Sequence, residues 1–188
     1  STANVTIGVS SSDTSEGTVS PSSLTFTSSN WNANQTVTVT GVNDNLADGD
    51  QNYTIVLAEA TSSDSNYNSL DPSDVSATNT DDETAGITVS SISGNTTESG
   101  GTATFTVKLN SEPTANVTIG VSSSDTGEGT VSPSSLVFTS SNWNANQTVT
   151  ATGVNDSLDD GNQSYTIVLA AASSSDSGYS GLNPNDVS

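Results

Sequence analysis

Short runs in which apolar residues alternate with Thr or Ser recur along the chain. This period of two is typical of half-buried antiparallel strands, and no stretch shows the period of an amphipathic helix. In the second half, six strands and the start of a seventh near Asp186 are predicted. Their inward residues are Ile87 and Val89; Ala103, Phe105, Val107 and Leu109; Val117, Ile119 and Val121; Leu136 and Phe138; Val149 and Ala151; and Tyr165, Ile167 and Leu169.

The pattern occurs twice. Residues 2–76 and 114–188 align without a gap, with about 60 of roughly 75 positions identical, which marks internal repeats. Trp31 and Trp143 set the period at 112 residues, and a period that long predicts a whole domain in each copy. We therefore predict an all-β chain of tandem seven-stranded immunoglobulin-like β-sandwiches. The first, residues 1–83, lacks its first two strands, and the second, 84–188, lacks most of its last strand.

Two incomplete sandwiches expose sheet edges, which soluble proteins normally avoid. One interpretation is that the chain is an excerpt of a longer array. The other is that neighbouring copies complete each other by strand addition, as in fibre subunits. We favour the excerpt.

Charge narrows the possible partners. Asp and Glu number 21 against 1 Lys or Arg and no His, so the formal net charge is −20. This excludes nucleic acid as a partner and predicts that cations collect where carboxylates are densest. No apolar stretch approaches the roughly 20 residues of a membrane span, so no membrane insertion is expected. Richness in Ser, Thr and Asn, with several Asn-x-Ser/Thr sequons, predicts a secreted or cell-surface protein.

The acidic residues fall on the loops after strands one, three and five and at the exit of strand seven, all at one end of such a sandwich. They are Asp13, Glu16, Asp44, Asp48, Asp81, Asp82 and Glu83 in the first copy, and Glu98, Asp125, Glu128, Asp156, Asp159 and Asp160 in the second. Clustered carboxylates raise one another's pKa, and a hard divalent cation removes that cost. Calcium is predicted because it takes six to eight oxygens in flexible geometry, whereas transition metals prefer the absent His or Cys. Solvated, self-capped turns are the alternative.

These loops also carry a family resemblance. The chain contains Ile-Thr-Val, then Thr-Glu-Ser-Gly-Gly-Thr-Ala-Thr-Phe-Thr-Val-Lys-Leu, then Gly-Val-Asn-Asp-Ser-Leu-Asp-Asp-Gly-Asn-Gln-Ser-Tyr-Thr-Ile, and in the first copy Asn-Thr-Asp-Asp-Glu. In this order the motifs resemble tandem Calx-beta domains over nearly the whole chain. The resemblance implies a calcium-binding sandwich of the type found in sodium/calcium exchangers, integrin β4 and large bacterial surface adhesins or extracellular filaments.

By that resemblance ten of the acidic residues are implied ligands: Asp13, Asp44, Asp48, Asp81, Asp82, Glu98, Asp125, Asp156, Asp159 and Asp160. The chain also departs from the family. Family members often carry Asp-Glu-Gly-Asp-Glu before strand six, but here the segments are Ala47-Asp48-Gly49-Asp50-Gln51 and Asp159-Asp160-Gly161-Asn162-Gln163. Each copy therefore offers fewer acidic ligands there.

Catalysis finds little support, because His and Cys are absent and the Ser residues have no candidate base. We predict a non-enzymatic, extracellular structural repeat, a spacer of a surface adhesin or filament that calcium stiffens at each junction. Its partners are then neighbouring repeats of the same protein or identical subunits. Two alternatives stay open: a self-assembling fibre subunit completed by strand addition, and a module that binds a surface glycan or protein receptor.

In the binding-module alternative the contact surface would be aromatic: Trp31, Trp143, Tyr67 and Tyr179. We expect instead that each Trp covers the end of its own core. Tyr53 and Tyr165 resemble a tyrosine corner. Tyr67 and Tyr179 fall in a long Ser/Asp/Asn-rich loop, where contact with the preceding domain is expected.

Overall fold

The computed structural model describes residues 2–188 and contains strands, turns and irregular segments but no helix in that range. The all-β prediction is confirmed. The contacts divide the chain into two compact units. Unit 1 comprises the residues up to Asp44 together with Asp48–Asp81, and unit 2 comprises Asn45–Ala47 together with Asp82–Ser188.

Unit 1 contains seven strands, all in antiparallel pairs. They are β1 (Val5–Ser11), β2 (Gly17–Ser20), β3 (Ser23–Phe26), β4 (Thr38–Gly41), β5 (Gln51–Leu57), β6 (Thr61–Ser62) and β7 (Val75–Asn79). One sheet has the order β3-β1-β5-β7, with β6 also paired to β1, and the other consists of β2 and β4. The buried cluster of this unit is small: Val9, Leu24, Tyr53 and Ile55.

Unit 2 also contains seven antiparallel strands. They are β8 (Ile87–Val89), β9 (Thr102–Leu109), β10 (Val117–Ser123), β11 (Gly129–Ser132), β12 (Ser135–Phe138), β13 (Gln147–Gly153) and β14 (Ile167–Leu169). The two sheets have the orders β12-β10-β14 and β11-β13-β9-β8. Strict alternation along β9 buries Ala103, Phe105, Val107 and Leu109. The core is correspondingly larger than that of unit 1.

Two strands of unit 1, β2 and β6, and one strand of unit 2, β11, were not predicted. Strands β2 and β11 each contain a single apolar residue, Val19 or Val131, so the sequence shows no alternation there. They form because they pair along their whole length with β4 and β13. Each begins at a glycine, Gly17 or Gly129, on which a Cβ would overlap the ring of Tyr53 or Tyr165.

The predicted sixth strand of the second copy is wrong in its extent. It was expected to include Tyr165, but β14 spans only Ile167–Leu169, whereas the corresponding β5 spans seven residues. In unit 1, β5 pairs with β7 at five positions. In unit 2 only a single bridge, Ile167 to Val187, stands in that place among the described residues. The pairing partner, rather than the local sequence, sets the length of the strand.

Candidate metal centre

Each unit brings three carboxylates together. In unit 1 they belong to Glu16, Asp44 and Asp48, whose ligand oxygens all lie within 4.8 Å of one another. In unit 2 the same spacing holds for Glu128, Asp156 and Asp160, which occupy the equivalent positions of the second repeat. We call these groups triad 1 and triad 2. Both were part of the predicted acidic set.

Backbone pairing places the glutamate of each triad. Glu16 directly precedes β2, and its carbonyl oxygen accepts a hydrogen bond from the Val42 amide at 3.0 Å. In unit 2 the Val154 amide donates to the Glu128 carbonyl at 2.9 Å. These bonds continue the β2–β4 and β11–β13 ladders by one step. Each ladder therefore brings its glutamate beside the loop that carries the two aspartates.

Triad 2 is electrostatically crowded. Partial burial raises the pKa of the Glu128 carboxyl above its usual value, and the carboxylates of Asp160, Asp125, Asp156 and Glu98 raise it further, in that order. Like charges at this spacing disfavour the ionised form of Glu128. A bound cation would remove that cost.

Two predicted ligands act as turn caps. Asp13 accepts hydrogen bonds from the Ser15 hydroxyl and, at 3.0 Å, from the Ser15 amide, and these bonds lower the pKa of its carboxyl. Asp125 accepts from the Gly127 amide at 2.9 Å. Self-capping is the usual role of Asp in a turn. Neither residue belongs to a triad, although Asp125 adds to the field at Glu128.

The exit of β7 reaches the acidic loop of unit 1. Asp81 accepts a hydrogen bond from the Gly49 amide at 2.6 Å, next to Asp48, and its own amide donates to Asp50 at 3.1 Å. Asn79 donates to the Glu16 carboxylate at 3.2 Å and to the Val42 carbonyl at 2.7 Å. Asn79 thus orients a triad carboxylate. Asn79 was not among the predicted site residues, although its spacing two residues after Ala77 places it on the inward face of the strand.

The remaining predicted ligands lie outside the triads: Asp82, Glu83, Glu98 and Asp159. Glu98 and Asp159 line a cleft of about 980 Å³ in unit 2, together with Glu128. Asp159 is not among the four carboxylates named above that raise the pKa of Glu128, and Ala47 occupies its position in the first repeat. That these four residues bind a metal ion stays a prediction.

The aromatic residues differ between the repeats. Trp143 packs against the core of unit 2, as expected, but Trp31 is 61% exposed. The expected contact of Tyr179 with the preceding domain stays a prediction. Tyr179 is buried inside unit 2, where its hydroxyl bonds with the amide, hydroxyl and carbonyl of Ser111 at 2.7 to 3.0 Å.

The tyrosine at the start of the predicted sixth strand of the sandwich is Tyr165 in unit 2. Its hydroxyl forms a hydrogen bond of 2.7 Å with the Thr96 hydroxyl. Its counterpart Tyr53 is buried in the core of unit 1. Both positions agree with the structural role expected for them.

The donor set fits a hard cation. Two oxygens bound to one calcium ion at about 2.3 to 2.6 Å lie at most about 5 Å apart, which accommodates the triad spacing of 4.8 Å or less. Magnesium would require shorter bonds and a rigid octahedron. The triads would hold the ion through carboxylates, with backbone carbonyls completing its coordination.

The fold and these acidic loops define a class of β-sandwich repeat modules. The chain matches the Calx-beta domain family over residues 12–84 and again over 80–187. It belongs to this family as a tandem pair, which confirms the resemblance seen in the sequence. Neither the search of curated proteins nor the search of solved structures finds a match to this chain. Calx-beta domains are non-catalytic structural or binding modules. In the described part of the chain, no helix has the length and apolarity to cross a membrane.

Proposed function

We propose that the protein is a non-enzymatic structural repeat of an extracellular adhesin or filament, and that calcium bound at the two triads stiffens it. The observation that carries this proposal is that each repeat gathers its own group of three carboxylates. The loops that supply each triad connect strands of both sheets, so an ion there would tie the sheets together.

The net charge of −20 supports the same proposal. Repulsion on this scale destabilises the folded state unless counterions collect at the densest carboxylates. At about 1 mM calcium, a site with a dissociation constant of about 0.1 mM would add roughly 1.4 kcal/mol to the free energy of unfolding. Each unit holds one triad, so each would gain about this amount, an appreciable fraction of the stability of a small domain.

Isothermal titration calorimetry of the full chain tests the site. Calcium is expected to bind at two sites per chain, with magnesium binding more weakly. Asp160→Asn and Asp48→Asn should each weaken one site by about tenfold, because affinity follows the number of charged ligands. Asp71→Asn is the charge-matched control, since Asp71 is in neither triad and Asn183 occupies its position in the second repeat. Absence of binding at millimolar calcium would contradict the proposal.

Small-angle X-ray scattering tests the stiffening. With calcium, the chain is expected to have a narrower distribution of dimensions than with chelator, because each ion restrains several loops. Equal flexibility in the two conditions would leave a binding module without a calcium-dependent mechanical role. The Asp48→Asn, Asp160→Asn double variant should behave with calcium as the unchanged chain does with chelator.

A further inference from the structure

The outer surface of one sheet of unit 2 is covered with hydroxyl groups. Strands β11, β13 and β9 are neighbours in that sheet, and their inward residues include Val131, Val149 and Phe105. Their outward residues are all Thr or Ser, apart from Lys108 at one end of β9. We call the eight outward Thr and Ser residues the hydroxyl face: Thr102, Thr104, Thr106, Thr130, Ser132, Thr148, Thr150 and Thr152.

Backbone pairing arranges the hydroxyl face as a two-dimensional array. Strand β13 pairs with β9 at six consecutive positions and with β11 at four, and no bulge interrupts either ladder. Side chains that lie opposite each other across the strands therefore form rows. Neighbouring members of a row are about 4.8 Å apart, and successive rows are about 6.8 Å apart. The rows are Thr130-Thr152-Thr102, Ser132-Thr150-Thr104 and Thr148-Thr106.

The hydroxyl groups of this face are open to a ligand. Among the described residues, none of the eight hydroxyl groups forms a hydrogen bond with another protein group. Hydroxyl groups elsewhere do find protein partners. That of Thr139 lies 3.0 Å from the Ser141 hydroxyl and donates to the Asn142 side chain at 3.2 Å. Each Thr of the face also presents a methyl group beside its hydroxyl, so the face is regular in both its polar and its apolar groups.

The sheet is also nearly uncharged, although the chain carries a net charge of −20. Strands β8, β9, β11 and β13 contain no Asp or Glu, and Lys108 is their one charged residue. A charged partner would be attracted to the acidic loops instead. The four strands also contain no Trp or Tyr, so they offer no aromatic ring on which a sugar could stack. An uncharged partner with a regular spacing of its own fits this surface.

We propose that the hydroxyl face binds ice. Oxygen atoms on a prism face of hexagonal ice repeat in two perpendicular directions, at distances close to the spacings of about 4.8 Å and 6.8 Å within and between the rows. The hydroxyl groups take the places of lattice oxygens, and the methyl groups order the water between them. Unit 1 repeats part of the face, because Thr18 pairs with Thr40 and Ser20 with Thr38. This inference goes beyond the proposed function and requires no calcium.

Nanolitre osmometry of the full chain tests the proposal. Ice crystals held in its solution should become faceted, and freezing should begin at a lower temperature than melting. Thr150→Tyr should remove most of this temperature gap, because Thr150 lies at the centre of the array and a ring there holds the other hydroxyl groups off the lattice. Tyr favours strands, so β13 should persist. The matched control is Thr118→Tyr on the outward side of β10 in the other sheet, which should leave the gap unchanged.

A second variant separates surface from folding. Thr102→Tyr changes an exposed member of the face and should narrow the gap while the melting temperature of the protein stays the same. Rounded crystals without a gap in the unchanged chain would overturn the proposal, as would a gap that narrows only in variants of lower protein stability. Retention on crystalline cellulose that Thr150→Tyr abolishes, without any effect on ice, would make a polysaccharide the occupant and overturn it too.

The same assay keeps this inference apart from the proposed function. The Asp48→Asn, Asp160→Asn double variant should lose calcium binding and keep the full temperature gap. Loss of the gap in that variant, with the protein still folded, would contradict a calcium-independent face.

Discussion

The two repeats place nearly the same sequence in two different surroundings. Unit 2 has β8 and β9 beside β13, and there Val149 and Ala151 are completely buried. In unit 1 no strand of the described residues pairs with the other edge of β4, and Val39, the counterpart of Ala151, is 41% exposed. In the other sheet unit 1 has the more extensive pairing, because β5 contains seven residues and the corresponding β14 only three.

This comparison separates local preference from pairing. Gln35–Val37 forms no strand, whereas the identical Gln147–Val149 belongs to β13 and pairs with Val107, Thr106 and Phe105. Strand propensity is the same in both cases, so the difference comes from the neighbouring strand. The same holds for Gln163–Thr166, which forms no strand although its counterpart in unit 1 lies within β5.

The largest expected effect comes from removing the side chain that most distinguishes the two cores. Phe105 is 1% exposed at the centre of β9. Phe105→Ala should lower the free energy of unfolding of unit 2 by about 3 to 5 kcal/mol, measured by urea denaturation. Val39→Ala in unit 1 is the control and should change it by less than about 0.5 kcal/mol. A small loss for Phe105→Ala would mean that β9 is not the main source of the larger core.

The second test uses an equivalent pair of tyrosines. Tyr179→Phe leaves the buried amide, hydroxyl and carbonyl of Ser111 without the tyrosine hydroxyl, and should cost about 1 to 3 kcal/mol. Tyr67, its counterpart, is 38% exposed. Tyr67→Phe should be nearly neutral by thermal denaturation. Equal effects of the two substitutions would contradict the difference in burial between the repeats.

A smaller effect with a change of sign is expected at triad 2. In chelator, Glu128→Gln should raise the melting temperature, because it removes a carboxylate whose charge is opposed by its neighbours. In millimolar calcium the same substitution should lower it, because a ligand is lost. Asp71→Asn, which changes the same charge outside both triads, should not reverse sign between the two conditions. The same sign for Glu128→Gln in both would argue against an ion at the triad.

The smallest expected effect is the pH dependence of the change in melting temperature that Glu128→Gln causes. Because the folded-state pKa of Glu128 is raised, its ionisation destabilises the metal-free fold above that pKa, and the cost disappears as the pH falls through it. The advantage of Glu128→Gln in chelator should therefore vanish on acidification. The calcium affinity of triad 2 should begin to fall at a higher pH than an ordinary glutamate would give. A calcium affinity that falls only where an ordinary glutamate is protonated would contradict the raised pKa of Glu128.

Much of the fold could be read from the sequence, because alternation identifies any strand that buries a face. Strand β9 alternates without a break and was predicted residue by residue, whereas β2 and β11 each offer one apolar residue and were missed. The true extent of β14 could not be predicted, because it depends on a partner strand and not on the residues of β14 itself.

The acidic loop residues were predicted as a set, but the sequence could not show which of them come together in a triad. Asp159 and Asp160 are neighbours in the chain and identical in chemistry, yet only Asp160 belongs to triad 2. Which of two adjacent carboxylates turns toward Glu128 depends on the path of the loop. Asn79 was missed for a related reason, because its importance appears only when β7 is laid in register against β5.

Gly17 and Gly129 each lie against a tyrosine ring, and a Cβ at either position would overlap that ring unless the ring moves aside. A larger residue there would therefore displace Tyr53 or Tyr165 from its packed position. An engineer assembling artificial arrays from these modules should vary each glycine together with its tyrosine.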